Sequence, residues 1–251
     1  MAQRDHFATR LGFVLAAAGS AVGLGNIWKF PFMTGQNGGG AFLVLYIVFV
    51  LTIGLSVMLA EFAIGRAGQR NPVGSFRALK GGAWPAAGGL GVIAGFVILS
   101  FYSVVGGWTL AYAIKSVTGA LASNDPKVLG AAFGTFIADP LDVIGFHTAF
   151  MVLTLVIVAG GVRHGIERAA RILMPILALL VIVLAVRAVT LDGAAKGIAF
   201  FLTPDFSKVT WNTVNAALGQ AFFSLSLGMG TMITYASYLN RQVNLPKTAA
   251  Q

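Results

Sequence analysis

Gly19-Ser20-Ala21-Val22-Gly23-Leu24-Gly25-Asn26 lies inside what would otherwise be one apolar run from Leu11 to about Met33. Each of its three glycines weakens a helix by about 1 kcal/mol relative to alanine. In a bilayer the cost rises, because each backbone group freed from the helix loses several kcal/mol where no water can bond it. Such a break persists only where protein, water, or a bound ion or substrate satisfies it. The stretch is therefore a candidate binding site.

The surrounding chain reads as an all-α integral membrane protein. Of its 251 residues 57% are hydrophobic and 10% charged, against about 25% charged in a soluble domain. A bilayer-crossing helix needs about 20 mainly apolar residues, and that rule predicts six spans at about 11–33, 41–65, 88–118, 142–161, 166–189 and 211–240, forming one membrane domain. Four are plain. The first and the sixth are interrupted, the sixth by Phe223-Ser224-Leu225-Ser226-Leu227-Gly228-Met229-Gly230. Asn37-Gly38-Gly39-Gly40 and Gly81-Gly82 are breaker signals between spans. Met1 to Arg10 is polar and carries no cleavable signal pattern.

The formal net charge of +9 would suggest nucleic acid in a soluble protein; here the cations lie between spans and set topology. Arg4, Arg10, Arg66, Arg70, Arg77, Lys80, Arg163, Arg168, Arg171, Arg241 and Lys247 fall in alternate loops and at the two ends, which the positive-inside rule places in the cytoplasm. The other loops hold only Lys127, Lys196 and Lys208, among four aspartates. Both termini are therefore expected in the cytoplasm. Cysteine is absent, and His6, His147 and His164 are scattered, so no metal cluster is suggested. No Ser-His-acid set, phosphate loop or HExxH pattern points to an enzyme. Gly23-Leu24-Gly25 lacks the third glycine and the strand context of a dinucleotide loop.

Each candidate has a plainer reading. Gly19 and Gly23 are spaced as a small-xxx-small packing face. The second interrupted span favours a site instead, because broken helices meeting near the midplane present amides to anions and carbonyls to cations. Glu61, a carboxylate in a span, is costly by about 2.5–3.5 kcal/mol; it either reaches water beside Arg66 or accepts from amides freed by the breaks, the second being preferred. Tyr102, with Ile98 one turn earlier, lines a pocket or packs between helices. Lys29 either snorkels or forms half of a charged gate.

Trp28-Lys29-Phe30-Pro31-Phe32 leading into Asn37-Gly38-Gly39-Gly40-Ala41-Phe42 resembles the signature of the neurotransmitter:sodium symporter family, in its bacterial, leucine-transporter-like amino acid branch. Gly219-Gln220-Ala221-Phe222-Phe223-Ser224-Leu225-Ser226-Leu227-Gly228 and Ile233-Thr234-Tyr235-Ala236-Ser237-Tyr238 resemble that family's sixth helix. The resemblance implies a leucine-transporter-type fold: a five-helix repeat followed by the first helix of an inverted repeat, with the first and sixth helices broken at mid-membrane. By that measure the chain is the N-terminal half, stopping before a seventh helix. It also implies the cytoplasmic (inner) membrane, Na+ as the coupled ion, and a small-molecule amino acid as the partner besides the lipid bilayer.

By the same resemblance, substrate meets Ala21, Gly25, Ile98, Tyr102, Phe223, Ser224, Ser226 and Met229. One sodium uses Ala21, Asn26 and Ser224, and a second uses the Gly19 and Val22 carbonyls. Arg4, Lys29, Gln220 and Tyr238 match gate positions, and Glu61 supports the breaks. Tyr46, Gln220 and Ser224 match chloride-site positions, while the residue that decides chloride dependence would lie beyond Gln251. Gly23 stands where the family's amine transporters place an aspartate, which favours a substrate carrying its own carboxylate. Ile98, Phe223 and Met229 favour a hydrophobic side chain. Lys29 replaces an arginine, loosening any bidentate outer pairing. The expected function is sodium-coupled symport of a neutral, hydrophobic amino acid by alternating access. The alternative is a truncated, non-transporting half that pairs with a second half-transporter or forms a homodimer.

Overall fold

The computed structural model describes residues 7, 9–123, 125–240 and 243–249, with the backbone alone at 10 and 247. Within them, four helices are long and apolar enough to span a bilayer: α3 (Gly40–Gly68), α5 (Trp84–Val117), α7 (Pro140–Ala159) and α8 (Gly161–Val189). A fifth span forms if α1 (Arg10–Ala21) and α2 (Gly25–Gln36), whose axes bend by 43° at the glycine-rich break, are taken together. The sixth expected span is not one helix. It divides into α10 (Trp211–Ser224) and the short α11 (Thr231–Ala236), leaving residues 225–230 unwound between them. That gap is why it falls short of the length a crossing helix needs.

Three helices lie in loops that hydrophobicity did not single out. The basic loop holds α4 (Pro72–Leu79); the next loop holds α6 (Pro126–Ala138), and α9 (Ala194–Leu202) precedes the bend into α10. α4 and α6 begin in the same way. Asn71 accepts from the Gly74 amide and Asp125 from the Lys127 amide, each followed by proline at the first helical position, where its missing N–H costs nothing. A last short helix, α12 (Leu245–Ala249), packs on α3.

Packing follows from the smallest side chains. α5 lies against α7 where Gly107 meets the His147 backbone and Gly106 meets the Phe150 ring. The first half of α3 packs on α10 and its second half on α11, so one continuous helix runs alongside the second break. Phe13, Phe62, Leu227, Met232, Ala236, Leu239 and Leu245 form the buried apolar cluster beneath the two breaks, with Phe13 and Phe62 in edge contact at 5.4 Å.

Candidate functional site between two broken helices

α1 ends because Val22 turns to extended backbone (φ −97°, ψ 95°), its amide closing the last turn on Ala18. α2 then starts in a widened turn over Gly25–Lys29, with the amides of Asn26 and Ile27 both donating to the Gly23 carbonyl. Gly25 admits no side chain: a Cβ there would lie 2.6 Å from Cε1 of Phe223. In the second break, Ser226, Gly228 and Gly230 all have positive φ, glycine's natural region but an uncommon one for serine.

The two breaks are tied together on either side of a cavity. Ser226 donates to the Ser20 carbonyl (2.9 Å), while the two hydroxyls lie 3.1 Å apart. Gln220 donates through Nε2 to the Gly25 carbonyl (3.1 Å) and to Ser224 Oγ (3.2 Å). Glu61, buried on α3, accepts from the Gly228 amide at 2.7 Å. A carboxylate in a membrane span thus meets a backbone donor that the break has freed.

Between these ties lies a cavity of about 490 Å³, within the usual size of small-molecule sites. Gly19, Ala21, Gly25, Ile98, Tyr102, Phe223, Ser226 and Met229 line it, and so do Ser20, Gly23, Gly95, Leu99, Phe150, Thr154, Thr231 and Tyr235. No charged side chain is among these. The Tyr102 hydroxyl faces the backbone of Leu24 and Gly25, and a Cβ on Gly23 would sit 3.0 Å from it. One end of the cavity is therefore polar without carrying a side-chain charge. Phe223 and Tyr102 stand 6.4 Å apart, and Lys29 Nζ sits 4.2 Å over the Phe223 ring.

Not every expected site residue reaches this cavity. Ser224 is buried behind it, held by Gln220. Asn26 donates through Nδ2 to the Ala21 carbonyl (3.1 Å), and its Oδ1 is buried with no hydrogen-bond partner among the described residues. Val22 opens with Ala21 onto a neighbouring apolar cavity beside Phe13 and Met58. Tyr238 lies away from the centre, in a basic pocket with Arg70 and Arg77. Tyr46 packs against Phe30, the rings tilted by 56° with centroids 4.8 Å apart. Arg4 lies outside the described residues.

Sequence reasoning did not single out Phe150 and Thr154, one turn apart on the plain helix α7. The only signal was a threonine in an apolar span, and its hydroxyl is satisfied by the Phe150 carbonyl (2.9 Å). Ser20 was part of the quoted break but was not assigned a role.

The sequence matches the model of the Sodium:neurotransmitter symporter family over residues 4–128 and 141–250. The sodium-dependent transporter YhdH of Bacillus subtilis is 45% identical over 245 residues, covering 97% of this chain and 54% of that protein. The sodium-dependent neutral amino acid transporter SLC6A17 of Rattus norvegicus is 32% identical over 273 residues, 96% of this chain and 37% of its own. Among solved structures, the crystal structure of MhsT in complex with L-phenylalanine is 50% identical with a TM-score of 0.93, over 99% of this chain and 57% of that one. The chain thus spans about half the length of YhdH and of the MhsT chain. The fold is the all-helical leucine-transporter type, in a multi-pass membrane protein of a transporter rather than an enzyme family. The chain belongs to the sodium:neurotransmitter symporter family.

Proposed function

We propose that the protein serves sodium-coupled symport of a neutral, hydrophobic amino acid across the cytoplasmic membrane, with both termini inside. The observation that carries this reading is an uncharged, mostly apolar cavity placed between two broken helices. A zwitterion's carboxylate can be met there without a cationic side chain, by the amide end of α2 and the Tyr102 hydroxyl. The apolar wall of Ile98, Phe223 and Met229 suits a hydrophobic side chain. The L-phenylalanine bound by MhsT and the neutral amino acid substrates in the names of other relatives support the same class.

The Asn26 amide fits the ion. Turned end for end, it would set Oδ1 about as close to the Ala21 carbonyl as Nδ2 is now, 3.1 Å. Two acceptor oxygens that close repel each other unless a cation lies between them, and hard cations gather about six such oxygens. Sodium held there beside the substrate carboxylate would make the binding of each favour the other.

The test is uptake of labelled L-phenylalanine and L-leucine by the protein in its native membrane, together with its intact mass. Accumulation should require sodium, and Asn26→Ala should lose most of the sodium response. Equal uptake in sodium and choline media would overturn the coupling. An unchanged sodium response in Asn26→Ala would overturn the ion assignment.

A further inference from the structure

The geometry points to a binding site for an anionic phospholipid headgroup at the basic pocket beside α4. The inference rests on the proposed orientation, in which this loop faces the cytoplasmic leaflet. Arg70, Asn71, Val73, Gly74, Arg77 and Tyr238 line an open cavity of about 540 Å³. Val73, Gly74 and Arg77 follow helical spacing on α4, and Arg70, just ahead of the extended cap Asn71, lines the same pocket. No acidic side chain among the described residues pairs with either arginine. No acidic residue occurs between Glu61 and Asp125, and Glu61 is turned inward to Gly228. Among the described residues neither arginine forms a salt bridge, whereas Arg66 is engaged with the Val243 carbonyl at 2.5 Å. A planar guanidinium pair suits phosphate oxygens.

The depth of the pocket selects a lipid over a free ion. Trp84 opens the 34-residue span α5, the position at which tryptophan marks the membrane–water interface. Its ring stacks on Phe76 of α4 (centroids 6.3 Å apart, 16° between planes), and Lys80 Nζ lies 5.1 Å above it. Trp84 and Leu79 are nonetheless about half exposed. α4 thus offers cations and an apolar aromatic edge side by side, the two things a headgroup with attached acyl chains meets at once.

The site also touches the segment around the second break. Tyr238 follows α11, Gln69 donates to the Leu239 carbonyl at 3.0 Å, and Pro72 packs where Gly230 has no side chain. An occupant held by Arg70 and Arg77 would therefore press α4 against the far side of the second break.

Trp84 provides the probe. In bilayers containing brominated phosphatidylglycerol or brominated phosphatidylcholine at equal mole fraction, quenching assigned by comparison with Trp84→Phe should favour phosphatidylglycerol. That preference should fall about fivefold for Arg70→Gln and again for Arg77→Gln, and largely survive Arg77→Lys. Undiminished quenching by phosphatidylcholine would show that each variant keeps its interfacial seat. Equal quenching by the two lipids, or a preference kept by the double variant, would overturn the site. Loss of the preference in inorganic phosphate at fixed ionic strength would replace the lipid with a free anion. Because the chain has no cysteine, Ala78→Cys labelled by an impermeant thiol reagent reports separately which side the loop faces. A lipid preference with external labelling would overturn the orientation alone, and none of these readouts depends on transport.

Discussion

Ser226 holds a backbone φ of 54°, a conformation that costs most residues about 1–2 kcal/mol, and both atoms of its hydroxyl are engaged with Ser20 at the edge of the cavity. Ser226→Ala keeps the strained backbone and loses both contacts, each worth about 1 kcal/mol. Ser226→Gly loses the contacts but relieves the strain. Melting temperatures should therefore fall in the order wild type, glycine variant, alanine variant; an alanine variant at least as stable as the glycine variant would show that the left-handed backbone carries no cost. Gly23 is decided by space and charge together. Gly23→Asp places its Cβ against the Tyr102 hydroxyl and brings a carboxylate to the end proposed to hold the substrate's own, so L-phenylalanine binding should drop at least tenfold by direct titration. Residue chemistry explains what the sequence could show. Glycines in an apolar run declare a break, whereas the pairing of Ser20 with Ser226 spans 206 positions and depends on a backbone angle that serine rarely adopts.

At the scale of elements, α3 acts as a splint along the second break. Gly65 permits it: a Cβ there would lie 2.1 Å from the Ile233 carbonyl oxygen, with the Ala236 methyl group close behind. Gly65→Ala should therefore destabilise by about 1–3 kcal/mol through overpacking, seen as a lower melting temperature. Glu61→Leu should do so by a different route, stranding the Gly228 amide without its acceptor at a cost of about 1–3 kcal/mol. Glu61→Gln, which still offers an acceptor oxygen, should recover most of the loss. Midway along α3, the turn over Val50–Gly54 is wider than an α-helix. Thr52 and Ser56 there bond back to the carbonyls four residues earlier (2.6 and 2.7 Å), a local competitor of the helix ladder. Hydropathy alone could not foresee this turn or the loop helices, since it averages over the Asn71-Pro72 and Asp125-Pro126 pairs that start them. The contribution of α7 to the cavity was equally hidden, because a side chain facing a ligand and one facing a neighbouring helix look alike on a uniformly apolar span.

For the molecule as a whole, charge and apolarity are segregated. The cavity between the breaks lacks charged side chains, while the arginines of the α3–α5 loop gather at one rim. A ligand that binds only the folded state stabilises it in proportion to its saturation, by about 2.7 kcal/mol at a hundredfold excess over Kd. Sodium and L-phenylalanine together should raise the melting temperature by more than the sum of their separate effects, and simple additivity would argue against a shared site. The widened turn of α3 lies beside Leu225, whose side chain fills the space left open at Gly54, so a departure from regular winding in α3 sits against the start of the second break. In deuterium oxide, amides of most membrane helices are best protected at the bilayer centre; here isotope uptake should instead show a fast band at mid-depth, flanked on both sides by slowly exchanging helix.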